Sequence, residues 1–264
     1  MSEDQPELLT KVDSGIGYLR FNRPAKHNAI SYDMWCGISE TVDAFARDDA
    51  VRVIVLSGEG GRAFSSGADI SQFEKQRTSP DAVEVYNAAI ASASSKLTNI
   101  AKPTIARIQG YCMGGGLATA LCCDLRIATP DSSFAIPAAK LGVGYAYSSL
   151  NTLTNLVGPA SAKEIMFTGR RFTADEASHT GLINRVVDTD QLEAATLELA
   201  ETIAGNAPLT IKACKHIIAE IGKDPSERDI PSCERLVTDC FESEDYKEGR
   251  QAFGEKRKPE FRGK

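Results

Sequence analysis

Apolar positions along this chain switch repeatedly between a spacing of two and a spacing of three to four. Leu8 to Phe21 reads as two short strands around the turn at Asp13-Ser14-Gly15. Ser31 then caps a predicted helix running to about Arg47, with Met34, Ile38, Val42 and Phe45 on one face. Val51 to Leu56 is a β-branched run bounded by Gly58 and predicts a buried strand. Gly58 to Gly67 reads as a small-residue loop.

The alternation continues beyond that loop. Ser79-Pro80 opens a further helix, with proline where its missing N–H costs nothing. Thr104 to Ile108 is a strand, Leu117 to Cys123 an apolar helix, and Leu125 to Ala128 and Ser133 to Ile136 are further strands. Thr173-Ala174-Asp175-Glu176 forms a capping box, Gly181 stops its helix, and Ile183 to Val187 is a last strand. From Asp190 onward the chain reads as helical, with Leu192, Ala195, Leu199 and Ile203 at helical spacing. The expectation is an α/β core over residues 1–190 and a helical region over 191–264.

Composition adds exclusions rather than chemistry. Hydrophobic residues make up 42% of the 264 and charged residues 25%, enough for a packed core. A net charge of -6 argues against a basic nucleic-acid surface, so no nucleic-acid partner is expected. Seven scattered cysteines without a C-x-x-C read as free thiols of a reducing compartment. No apolar run reaches the ~20 residues of a bilayer span, and the polar start Met1-Ser2-Glu3-Asp4-Gln5 carries no signal pattern. A cytoplasmic protein without a membrane partner is expected.

Two stretches hold candidate chemistry. In Ala63-Phe64-Ser65-Ser66-Gly67-Ala68-Asp69-Ile70, small residues precede Asp69, placed to charge-complement a helix starting near Ile70. In Gly110-Tyr111-Cys112-Met113-Gly114-Gly115-Gly116-Leu117-Ala118, glycines bare the backbone after a strand. Neither matches a phosphate-binding loop. Each alone is an ordinary loop-to-helix junction; together they offer two backbone N–H groups to one oxygen, an oxyanion hole. His27, His179 and His216 form no constellation, and no carboxylate cluster suggests a metal.

These stretches, with Asn22-Arg23-Pro24, Asn28-Ala29, Cys123-Asp124, Leu141-Gly142-Val143, Phe172-Thr173-Ala174, Gly181-Leu182-Ile183-Asn184 and Phe253-Gly254-Glu255-Lys256-Arg257-Lys258-Pro259, resemble the crotonase superfamily of enoyl-CoA hydratases and isomerases. The resemblance runs in order along nearly the whole chain. It implies the crotonase fold, a repeated ββα spiral core with C-terminal helices that assemble trimers or dimers of trimers. It implies an acyl-CoA ligand whose thioester oxygen sits between the N–H groups of Ala68 and Gly115. It places Ala25, Lys26, His27, Ala63, Ala68 and Ile70 around the CoA moiety, with Phe253 and Lys256 reaching the CoA of a neighbouring subunit. Coenzyme A enters as part of the substrate, so no separate cofactor is expected.

The chain departs from the family where hydratases carry two glutamates: those positions are Ala118 and Ala138. Neither side chain can move a proton, a contribution of about 10²–10⁴-fold each. The methylmalonyl-CoA decarboxylases need no such pair, and the tyrosine after Leu-Gly-Val-x in that subgroup resembles Tyr145 here. Loss of CO₂ leaves the enolate directly, and Tyr145 is the candidate acid, although its ring could simply pack. The histidine of that subgroup is replaced by Ala68. A decarboxylase-like lyase leads; a hydratase or isomerase with a substitute base, and a non-catalytic acyl-CoA binder, are the alternatives.

Overall fold

The computed structural model describes residues 5–72 and 80–264. A six-stranded sheet runs in the order β1 (Leu8–Asp13), β2 (Ile16–Phe21), β3 (Val53–Gly58), β5 (Thr104–Ile108), β7 (Leu125–Ala128), β10 (Arg185–Val186). β1 pairs antiparallel with β2, and every later neighbour pairs parallel. A smaller sheet holds β4 (Ala63–Ser65), β6 (Tyr111–Met113), β8 (Ser133–Ala135) and β9 (Phe172–Thr173) in that order. The connectivity is a spiral: β3 and β4 lead to α2 (Pro80–Asn99), β5 and β6 to α3 (Gly115–Leu121), and β7 and β8 to α4 (Ala138–Leu141). This is the expected repeated ββα unit.

Strand period decides what each face of the large sheet covers. Ile54, Leu56, Ala106, Ile108 and Ala128 point into the main core with Trp35 and Ile38 of α1 (Tyr32–Arg47). Their neighbours Val53, Val55, Ile105 and Ile127 point the other way, onto Leu192 and Ala200 of α7 (Leu192–Ala204). The first helix beyond residue 190 is therefore part of the core's second layer. Then follow α8 (Pro208–Ile221), α9 (Ile230–Glu242) and α10 (Glu244–Glu255).

Several elements depart from the sequence reading. The small-residue loop contains β4, and the glycine run contains β6, both three-residue strands too short to show a period. The strand expected over residues 51–56 runs from Val53 to Gly58, and that over 183–187 shrinks to Arg185–Val186. α3 starts at Gly115 rather than Leu117. The helix near Ile70 is one 3₁₀ turn, Ile70–Gln72; Ser79 lies outside the described residues, and the helix expected there starts at Pro80. α5 (Tyr147–Thr168) escapes sequence reading because its apolar positions form no stripe and Gly158-Pro159 interrupts it, with Gly158 at φ 74°. The tail past Glu255 is not helical: it folds back so that Arg262 and Gly263 N–H groups donate to Asp245 at 2.6 and 2.8 Å.

Candidate active site

Three segments run on from the carboxyl ends of β2, β3 and β5, the latter two through β4 and β6, and lock together. The first turns through Pro24–Lys26, with His27 and Asn28 in the left-handed region at φ 50° and 55°. Asn28 is fully buried, and its amide ties the loops: Oδ1 accepts from Arg23 N at 2.9 Å, and Nδ2 donates to Glu59 O at 2.9 Å and Ala63 O at 2.7 Å. Ser66 N donates to His27 O at 2.9 Å, a second tie.

Ala68 is positioned by a single parallel bridge to Ile30. Ile30 N donates to Gly67 O at 2.8 Å and Asp69 N donates to Ile30 O at 2.9 Å. In a parallel ladder this pattern turns the N–H of the intervening residue, Ala68, to the opposite side. Gly67 at φ 106° makes the turn, and its N–H is capped by Ser65 Oγ at 3.1 Å. Asp69 follows at 5% exposure. Burial pushes its carboxyl up, but hydrogen bonds from Ser71 and Arg23 outweigh this and hold it at about 2. Arg23 Nη2 lies 2.8 Å and Lys26 Nζ 3.5 Å from Asp69 Oδ2.

The third loop delivers Gly115. Gly114, at φ 49°, is the N-cap of α3 and donates to Ala135 O at 2.8 Å. Gly115 is then the first residue of α3, where an N–H has no partner within the helix. A Cβ on Gly115 would lie 3.3 Å from Ala68 N and 3.4 Å from Trp35 Cζ2, so the two loops touch through backbone. At Gly116 a Cβ would sit 2.6 Å from both Ser65 Cβ and Ser65 O, too close for any side chain.

Ala118 lies one turn along α3. It lines a cavity of about 20 Å³ with Ser94, Cys122, Tyr145, Ser149 and Thr152. That volume holds about one water. Among the described residues, no carboxylate lines it. Tyr145 sits in the loop between α4 and α5, and burial pushes its hydroxyl up to about 12. Ala138 is buried at the start of α4 after Pro137. Tyr147, two residues further on, is 85% exposed.

Ala25, Lys26 and His27 lie in the first segment and Ala63, Ala68 and Ile70 in or just after β4 of the second, and the ties between the segments bring them together. Ala25, Lys26 and Ile70 are exposed, while Ala63 is buried in β4. Phe253 and Lys256 stand apart, exposed at the end of α10, with Lys256 closing the helix at φ 56°. Sequence reading missed the hydroxyls of Ser94, Ser149 and Thr152, which sit in helices without a motif. It quoted Asn28 but not its bridging role, which its position ahead of a helix cap does not reveal. Among the described residues, no group of three or more His, Cys, Asp or Glu lies together as a metal site would require, and no helix is long and apolar enough to cross a membrane.

The architecture is the crotonase fold. A solved enoyl-CoA hydratase/carnithine racemase from Magnetospirillum magneticum superposes with a TM-score of 0.91 at 34% identity, covering 99% of this chain and 97% of that one. An enoyl-CoA hydratase structure from Geobacillus kaustophilus gives 0.88 at 37% identity over 98% and 99%. The Enoyl-CoA hydratase/isomerase family pattern matches residues 11–264, and the chain belongs to that family of enzymes. Among characterised relatives, the crotonyl-CoA hydratase of Syntrophomonas wolfei is 31% identical over 96% of this chain and 97% of its own. The (E)-benzylidenesuccinyl-CoA hydratase of Thauera aromatica is 34% identical over 97% and 99%.

Proposed function

We propose that this enzyme binds an acyl-CoA thioester and stabilises its enolate between the N–H groups of Ala68 and Gly115, acting as a decarboxylase-like lyase. The observation that carries this reading is the cavity at Ala118. Tyr145 lines it, no carboxylate among the described residues does, and Ala118 and Ala138 stand where the family resemblance puts the two hydratase glutamates. In a malonyl-type thioester the bond from Cα to the carboxylate breaks, CO₂ leaves, and the electron pair passes to the thioester oxygen. Two fixed donors in a dry site stabilise that charge; one such donor contributes roughly 3 kcal/mol. The Tyr145 hydroxyl, kept protonated by burial, then delivers its proton to Cα and regains one from water. Ala25, Lys26, His27, Ala63 and Ile70 receive the CoA moiety, and Phe253 and Lys256 reach the CoA of a neighbouring copy.

A second reading, hydration or isomerisation of an enoyl-CoA, is favoured by the relatives' names, crotonyl-CoA hydratase among them. One assay separates the two. Malonyl-, methylmalonyl- and crotonyl-CoA are supplied side by side, with CO₂ release and loss of the enoyl chromophore followed. CO₂ release from a malonyl-type substrate supports the lyase. Fast crotonyl-CoA hydration without CO₂ release sinks it. CoA affinity without turnover of any thioester leaves the scaffold a binding protein.

A further inference from the structure

A cleft lies at the opposite end of the sheet from the oxyanion loops. Those segments run on from the carboxyl ends of β2, β3 and β5, the latter two through β4 and β6. The cleft is built where β3 and β5 begin, around Arg52, Lys102 and Pro103. A six-residue strand such as β3 puts about 20 Å between the two ends. The first turn of α8 forms one wall and the returning tail another, enclosing about 500 Å³, the size of a small-molecule site.

Among the described residues, five cations line this cleft, Arg52, Lys102, Lys212, Arg262 and Lys264, and Asp49 is the one acidic side chain. None of the five takes part in an ion pair among the described residues. Lys102 Nζ donates to Phe45 O and Asp48 O at 2.6 Å each, and Arg52 Nη2 donates to Phe261 O at 3.0 Å. These acceptors are neutral carbonyls, so the bonds fix the cations without cancelling their charge. Lys212, Arg262 and Lys264 remain exposed at the rim. The chain as a whole carries a net charge of -6, so the cleft's excess positive charge is a local departure. A concave wall of one sign concentrates the field and draws counter-ions of the other. The apolar wall of Val51, Pro103 and Ile203 adds a surface that a bare inorganic anion would not use.

We infer that this cleft is a second ligand site, taking a phosphorylated organic anion of mononucleotide size with its phosphates against Lys212, Arg262 and Lys264. It is separate from the thioester site and does not depend on which reaction that site performs. The test is isothermal titration calorimetry on the full chain with ADP and with inorganic pyrophosphate, with and without saturating CoA. The expected result is one ADP site per chain, unaffected by CoA, with ADP at least tenfold tighter than pyrophosphate. Lys212→Glu combined with Arg262→Glu should weaken ADP at least tenfold, with unchanged circular dichroism and melting temperature. Absence of ADP heat at millimolar concentration overturns the assignment. So does ADP binding that CoA abolishes while the double variant leaves it intact, which places ADP at the thioester site. Pyrophosphate binding as tightly as ADP overturns the organic part of the ligand class.

Discussion

At the scale of single residues, this site depends on what side chains leave out. Gly116 is the sharpest case, because a methyl group there would lie 2.6 Å from backbone and side-chain atoms of Ser65. Gly116→Ala must push α3 away from β4, and overpacking of this kind costs about 1–3 kcal/mol. Chemical denaturation should show that loss, and turnover should fall with it because Gly115 moves with α3. Tyr145→Phe keeps the ring and removes the proton. Turnover of a malonyl-type thioester should drop about 10²–10⁴-fold, with CoA affinity unchanged. A variant that retains its full rate removes Tyr145 as the acid. The titration of Tyr145 has a definite sign. Burial raises its folded-state pKa from 10.0 to about 12, so the neutral form is favoured on folding. Its contribution to stability is full below about pH 10 and fades as pH rises from 10 through 12. Absorbance at 295 nm should show tyrosine titration continuing above pH 10 in wild type, and one such late step should be lost in Tyr145→Phe.

At the scale of elements, one buried amide joins two loops that strands deliver independently. Asn28→Ala would leave Glu59 O and Ala63 O without their donor and place alanine at φ 55°. Stranded buried acceptors cost about 1–3 kcal/mol, so melting temperature should fall. KM for an acyl-CoA should rise more than kcat falls, since Lys26, His27 and Ala63 sit on the loosened loops. An unchanged KM would show that the loops hold without the tie. The same loops show what the chain discloses by itself. Long strands with β-branched runs, the Ser31 cap and the Thr173 box were readable because local physics alone specifies them; the structure has both caps in place. β4 and β6 were not, since three residues carry no period and their pairing is with each other and with the equally short β8. The backbone pair Ala68 and Gly115 was legible as small-residue motifs. The hydroxyl lining of Ser94, Ser149 and Thr152 was invisible, because it arises from two helices meeting across α3.

At the scale of the whole molecule, the C-terminal helices present more apolar surface than one chain covers. Ile218 and Ile221 on α8 are 68% and 62% exposed, Phe241 on α9 61%, and Phe253 on α10 88%. Large exposed apolar side chains gathered on successive helices are candidates for an association face. Sedimentation should therefore show an assembly of more than one 28.4 kDa chain, and the family resemblance makes three or six the expected number. Ile221→Asp with Phe241→Asp should shift the protein towards smaller species. Association also bears on the site, because Phe253 and Lys256 stand on α10, away from the loops that carry Ala68 and Gly115. If they serve a neighbour's CoA, two defective chains can repair each other. A Gly115→Pro chain loses its own donor but offers an intact Lys256. A Lys256→Glu chain keeps its own Ala68 and Gly115 pair but offers the wrong charge. Refolding the two together should yield mixed assemblies in which a fraction of sites regain wild-type KM, while each variant alone stays impaired. Mixtures no more active than the sum of their parts would confine Lys256 to its own subunit.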